Sequence, residues 1–173
     1  LTLTDAAAAN TIGGNVALSG AATVAGTLTV NGSFNSATLQ VKSLTASGSI
    51  SSGKIESDFN TLTAQNGNIE LTNVNKSLNG NSNVITATGG DVRLTDNMTG
   101  SGNVITAVAA NGVGGSILRG NGTALWASIA GQNNELTADG NIELESINQG
   151  NNTLHAKTGS IVISKAVSGG NNT

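Results

Sequence analysis

A short phrase that begins with asparagine recurs along the second two-thirds of this 173-residue chain. In every copy an apolar residue stands two positions after the asparagine, an alanine stands four positions after it, and a polar residue lies between them. Such alternation is the period of a β-strand with one buried face. A strand is therefore predicted in each of "NTLTA" from Asn60, "NVITA" from Asn83, "NVITA" from Asn103, "NELTA" from Asn134 and "NTLHA" from Asn152.

The copies also share a spacing and a second strand. Successive asparagines are separated by 23, 20, 31 and 18 residues, and Asn172 follows by a further 20. A second apolar segment follows a glycine that suits a turn with positive φ, and the asparagine at the other corner tolerates the left-handed region. These glycines are Gly67, Gly90, Gly115, Gly140 and Gly159, and a third apolar position, predicting a short third side, falls at Val74, Met98, Ile147 and Val167.

Units of this size point to a stacked fold, because no single unit can bury its own apolar face. Aromatic residues are 2% of the chain and charged residues 10%, which suits a narrow interior. Disorder is the alternative for a chain so rich in Gly, Ser, Asn and Thr, but regularly spaced Val, Ile and Leu argue against it. We therefore predict an all-β fold, a parallel β-helix (β-solenoid) with coils of about 18–23 residues and one enlarged coil.

Stacking brings identical corner residues together. A column of asparagines can form a ladder of side-chain amide hydrogen bonds, as in cross-β stacks. We predict this structural role for Asn60, Asn83, Asn103, Asn134 and Asn152.

Residues 1–58 repeat more closely than residues 59–173. "GNVAL" from Gly14, "GTLTV" from Gly26, "ATLQV" from Ala37 and "GSISS" from Gly48 start about every 11 residues, which favours two short strands per coil in the same solenoid. A separate β-rich segment is the alternative. The regular coils of 59–173 end on "GNNT", the start of a further unit, so we expect them to continue in a longer parent protein.

Several functional classes are disfavoured by charge and composition. A net charge of -3 with seven scattered basic residues gives no footprint for nucleic acid, and no apolar run is long enough to span a membrane. His155 is the only histidine and cysteine is absent, so neither a multi-histidine site nor a thiolate metal site can form. His155 takes the outward slot that threonine fills in the other copies. No catalytic residue, metal site or cofactor is predicted.

Acidic residues offer the nearest approach to a site. Asp139, Glu143 and Glu145 lie close together and would attract a cation weakly, although a solvated acidic face is the favoured interpretation. Glu70 and Arg93 fall in one outward column and are predicted to pair across the stack.

The outward threonines Thr63, Thr86, Thr106 and Thr137 suggest ice binding, but the companion rank reads Thr61, Val84, Val104, Glu135 and Thr153. A single rank of hydroxyls is too few to match a crystal lattice, so this function is disfavoured.

The enlarged unit holds the candidate binding loop. It contains the only tryptophan, Trp126, and insertions in repeat arrays are frequent binding positions. We single out Trp126, Leu125 and Arg119 as candidate contacts for a sugar or protein. The alternative is that Trp126 plugs an imperfect coil beside Leu125 and Ile129.

The units "NGNIELTN", "NVITATGGDVRL" and "NNTLHAKTGSIVI" resemble the repeats of filamentous-haemagglutinin-like bacterial exoproteins. That resemblance implies a right-handed parallel β-helix exported by two-partner secretion or autotransport. "GTLTVNG" also resembles repeats of phage tail fibres. The secretion domain of the family carries Asn-Pro motifs, and this chain has no proline.

The resemblance implies a non-catalytic stalk or filament that is secreted or held on the bacterial cell surface. Its expected partners are host-cell or matrix ligands, glycan or protein, or a second copy stacked end to end. The alternatives are a phage or viral tail-fibre segment and a polysaccharide-active enzyme on the same fold.

Overall fold

Sixteen strands of the chain form one parallel sheet that winds around a continuous apolar core. The computed structural model describes residues 1–72, 78–120 and 127–173. No helix occurs in these residues, and hence none that is long and apolar enough to cross a membrane. The strands are β1 (Thr2–Leu3), β2 (Ala9–Ile12), β3 (Val16–Ala17), β4 (Ala21–Val30), β5 (Phe34–Ala46), β6 (Ile50–Ile55), β7 (Thr61–Ala64), β8 (Ile69–Leu71), β9 (Val84–Thr88), β10 (Val92–Leu94), β11 (Val104–Val108), β12 (Ile117–Arg119), β13 (Glu135–Ala138), β14 (Ile142–Leu144), β15 (Thr153–Ala156) and β16 (Ile161–Ile163).

Each coil has three sides. The first side contains the strands that follow asparagine, and its inward residues stack in register as Leu28, Leu44, Leu62, Ile85, Ile105, Leu136 and Leu154. The second side stacks Phe34, Ile50, Ile69, Val92, Ile117, Ile142 and Ile161. The third side is the shortest and stacks Leu39, Ile55, Leu78, Met98, Ile129, Ile147 and Val167. The predicted parallel β-solenoid is confirmed, with about eight coils.

The third side differs in detail from the prediction. Met98, Ile147 and Val167 occupy it as expected, and Ile129 supplies the member from the enlarged coil. In the first regular coil the position belongs to Leu78, which is fully buried. Val74, the residue predicted there, lies outside the described residues.

The first 58 residues continue the same solenoid, because β5 pairs with β7 and β6 pairs with β8. The expected two strands per coil are not what forms. Coils here advance by 16 to 18 residues and already have three sides, so successive short repeats fall on different sides. The physical reason is that all three sides need the same apolar-x-apolar pattern, so the pattern by itself does not identify a side.

The glycine corner between the first and second sides is held by close approach of coils. A Cβ on Gly90 would collide with the backbone of Gly67 and lie 2.6 Å from the amide nitrogen of Asn68. Of the five glycines predicted to need a positive φ, only Gly115 has one, at 89°. Four are therefore required by packing, and the expectation of left-handed turns there is wrong.

The C-terminal coil leaves its apolar residues uncovered. Leu154, Ile161, Ile163 and Val167 border an open depression, and Val167 is 57% exposed. The equivalent residues one coil earlier are buried, because β15 and β16 cover them.

Candidate functional site

The predicted asparagines lie in one buried column at the corner between the third and first sides. Along the column, the backbone N–H and side-chain Nδ2 of one asparagine both donate to Oδ1 of the next. From Asn60 to Asn83 these distances are 2.8 and 2.6 Å, and from Asn83 to Asn103 they are 2.9 and 3.0 Å. The same pair of bonds joins Asn103 to Asn134 and Asn134 to Asn152. The column is therefore a hydrogen-bond ladder that supplies an acceptor for each corner amide.

The two ends of the ladder differ from its middle. At the C-terminal end, the Asn152 backbone amide donates to Oδ1 of Asn172 at 2.9 Å, while its side chain turns to the carbonyls of Gly131 and Gln149. At the N-terminal end, Oδ1 of Asn60 accepts from the backbone amide of Val41 at 3.1 Å. Residue 41 belongs to a coil without an asparagine corner, so the ladder begins where the corner geometry changes.

The residue before each ladder asparagine adopts the left-handed conformation. The ladder asparagines themselves do not, so the conformational role predicted for them belongs to their neighbours. The left-handed residues are Phe59, Ser82, Gly102, Asn133, Asn151 and Asn171. Gly and Asn enter this region readily, whereas a bulky side chain there is an outlier that costs on the order of 1–3 kcal/mol. Phe59, with φ of 58°, is the exception in the set.

A groove lies beside Phe59, and it was not anticipated from the sequence. In the two preceding coils the chain passes from the third side to the first through β4 and β5 without a protruding corner. The corner of residues 56–59 therefore overhangs these coils. The space beneath it is an open groove of about 440 Å³, bordered by the segments 23–25, 40–42 and 57–60.

The outward threonine column is longer than predicted. In register with the four threonines and His155 stand Thr11, Thr29 and Thr45, so one column runs along the whole first side. The companion rank carries hydroxyls at Thr27, Ser43 and Thr61, then changes to Val84, Val104 and Glu135. His155 is exposed at the end of the column, as the alternation predicts.

The acidic residues near the C-terminal coils form ion pairs between successive coils. Asp139 Oδ1 lies 2.8 Å from Lys157 Nζ, and Asp139 Oδ2 accepts the backbone amide of Ala109. The lysine lowers the pKa of Asp139 below its ordinary value of 3.8, assisted by that amide and opposed by desolvation.

Glu145 follows the same pattern one side further along the coil. Its Oε1 lies 2.5 Å from Lys165 Nζ, and this contact lowers its pKa below the ordinary 4.5 against the opposing effect of desolvation. Glu143 points outward opposite Val162. Each of the two paired carboxylates thus has a lysine of the next coil as its partner.

Glu70 and Arg93 are register neighbours, as the column alignment predicts. The guanidinium of Arg93 forms an ion pair with Asp91 on its own coil, with 2.7 Å between Nη2 and Oδ2. The cross-coil pair between Glu70 and Arg93 stays a prediction.

The candidate loop of the enlarged coil is only partly described. Trp126 and Leu125 lie outside the described residues. Arg119 ends β12, opposite Leu94, with an exposed side chain. Part of the enlargement is a turn between β11 and β12, where Ala110 and Val113 bridge and Val113 is 63% exposed.

Within residues 1–72, 78–120 and 127–173, no group of three or more histidine, aspartate or glutamate side chains could hold a metal ion. Compared with known protein families, curated proteins and solved structures, the chain matches none. The fold and its stacking are thus shown by the structure, and the resemblance to haemagglutinin-like exoproteins stays a prediction carried by the repeat sequences.

Proposed function

We propose that the chain is a non-catalytic structural segment of a secreted or bacterial cell-surface protein, a rigid β-helical stalk that mediates attachment. The observation that carries this proposal is the asparagine ladder, which runs through six coils from Asn60 to Asn172. Its members from Asn60 to Asn152 are at most 3% exposed. Bending at this corner would leave buried amides without acceptors, so the ladder favours a stiff rod.

The outward charges support the same role. Asp139 with Lys157 and Glu145 with Lys165 connect adjacent coils at separations of 18 and 20 residues. Paired in this way, these carboxylates reinforce stacking and do not converge on a shared substrate position. A polysaccharide-cleaving enzyme would instead place two carboxyl groups on one cleft for acid and base work.

An adhesion assay tests the attachment role. Beads coated with the purified chain should be retained on mammalian cell monolayers and on immobilised matrix proteins above beads coated with serum albumin. Retention no greater than that of the albumin beads on every surface would contradict the proposal.

The enzymatic alternative has its own test. Incubation with a panel of plant, bacterial and animal polysaccharides should release no new reducing ends and no unsaturated products. Release of either, at a rate proportional to protein concentration, would overturn the non-catalytic assignment.

End-to-end self-assembly is a second candidate, favoured by the uncovered C-terminal coil. Ile161 and Val162 are 44% and 46% exposed, and β15 and β16 each have a free strand edge in the described chain. Parallel edges of this kind accept a further strand, here the first coil of a second copy. Electron microscopy at rising concentration should show rods several coils-lengths long, which Ile161→Lys with Val167→Lys should shorten; single particles at every concentration would contradict assembly.

A further inference from the structure

Phe59 is placed in a way that the fold itself does not explain. Of the two aromatic residues in the described chain, Phe34 is buried in the core, whereas Phe59 is 72% exposed. Phe59 also has the left-handed backbone that its counterparts in later coils meet with Ser82, Gly102 and asparagine. The conformation is imposed by the stack, because the Phe59 amide donates to the carbonyl of Asn81 at 3.0 Å, as Ser82 does to Ser101.

A phenylalanine at this corner therefore adds backbone strain and gains little from burial. Asparagine would satisfy the same corner, as it does in three later coils. Strained residues that the surroundings hold in place cluster at ligand-binding positions. The argument thus runs from an observed outlier to a role for the exposed ring.

The surroundings of the ring supply that role. Phe59 borders the groove of about 440 Å³, within the size range of small-ligand pockets. Gln40 and Lys42 line its opposite edge and are exposed, and Thr23 lies on its floor. Asp58 completes the overhang, and its Oδ1 is held by the Asn81 backbone amide at 2.6 Å. The groove therefore combines one flat apolar ring with donors, acceptors and both signs of charge.

We propose that this groove binds a pyranose unit of a glycan chain. The C–H face of a pyranose packs on the negative face of an aromatic ring, and its hydroxyl groups both donate and accept hydrogen bonds. Phe59 supplies the ring, Gln40 and Thr23 supply donors and acceptors, and Lys42 and Asp58 supply one charged group of each sign. An open groove also lets the rest of the chain leave at both ends.

The inference deepens the proposed adhesive role and rests on it for its biological meaning. It assigns the glycan contact to the step where the tight coils meet the asparagine corners. The same step fixes the groove once along the stack, since later corners are covered by one another through the ladder.

The test is a glycan array carrying neutral, sialylated and sulfated oligosaccharides, followed by titration of the best-bound oligosaccharide. Wild type should bind at least one class, and Phe59→Asn should weaken that binding by about tenfold or more while its melting temperature stays equal or rises. Gln40→Ala should weaken binding with the fold intact. The control Val113→Asn removes an equally exposed apolar residue on another corner and should leave binding unchanged.

No binding by wild type to any glycan, binding unchanged by Phe59→Asn, or capture of peptides in place of sugars would each overturn the site. The bead assay separates this failure from failure of the adhesive role. Beads that adhere to cells although no glycan binds would refute the groove and keep the attachment function. Glycan binding without adhesion would do the reverse.

Discussion

Asn83 and Asn103 are joined twice, because the backbone N–H and the Nδ2 group of Asn83 both donate to Oδ1 of Asn103, at 2.9 and 3.0 Å. Both residues are fully buried. One side-chain oxygen therefore satisfies two donors that water does not reach. The same double bond recurs at the other steps of the ladder, so each asparagine serves the coil before it and is served by the coil after it.

Replacing one member should expose this dependence. Asn103→Ala leaves both donors of Asn83 without an acceptor, and each unsatisfied buried group costs about 1–3 kcal/mol. We expect the free energy of unfolding in urea to fall by about 2–5 kcal/mol. Asn35→Ala, at an exposed position on β5, is the matched control and should change stability by less than about 0.5 kcal/mol. Equal effects for the two variants would refute the structural role of the ladder.

Equivalent core positions should differ in cost along the stack. Ile142 and Ile161 are register partners on the second side, but Ile142 is fully buried and Ile161 is 44% exposed. Ile142→Ala should cost about 2–5 kcal/mol, and Ile161→Ala about 1 kcal/mol or less. Denaturant unfolding checks both, and a larger loss at Ile161 would mean that the last coil is covered.

The glycine corner predicts a position that admits no side chain. Alanine at Gly90 places a Cβ against the backbone of Gly67 and Asn68, which cannot rotate away. Gly90→Ala should therefore lower stability by about 1–3 kcal/mol or more. Gly13→Ala, where nothing lies within 4 Å of the new Cβ, is the control and should be nearly neutral. Thermal unfolding of both variants decides whether close packing requires this glycine.

Acid should weaken the C-terminal coils. Asp139 and Glu145 have pKa values lowered by Lys157 and Lys165, so their ion pairs stabilise the fold above the ordinary values of 3.8 and 4.5. This contribution is lost as pH falls through the lowered pKa values, because the unfolded chain takes up protons first. The melting temperature should drop between about pH 5 and pH 2, and Asp139→Asn with Glu145→Gln should flatten that drop. A pH profile unchanged in the double variant would show that the pairs contribute nothing.

Strand identity was predictable because one face of each strand is buried, so the alternation at Leu62 and Ala64 records burial directly. Side identity was not, since "GTLTV" and "ATLQV" carry the same pattern yet lie on the first and third sides. Coil length in the first 58 residues failed for that reason. The turn glycines were located correctly, but their reason was not, because collision between coils leaves no trace in a single unit.

The asparagine column could be located from spacing, because every member has an identical environment. The groove could not, since it arises from a mismatch between two corner types. One signal was present: Phe59 stands immediately before a ladder asparagine, where other units have Ser82, Asn133 or Asn151. Aligning the residue before the asparagine would have marked it. The sequence directed attention instead to Trp126, which lies outside the described residues.

The central claim is that the chain is a rigid stack whose length is counted in coils, not in residues. Pairs of nitroxide labels at Thr29 and Thr106, and at Thr29 and Thr137, span four and five steps of the threonine column. At about 4.8 Å per step, electron spin resonance should give narrow distributions near 19 and 24 Å, apart from the label arms. The second pair adds 31 residues but only about 5 Å. An increase well beyond one step, or broad distributions for both pairs, would contradict the stacked rod.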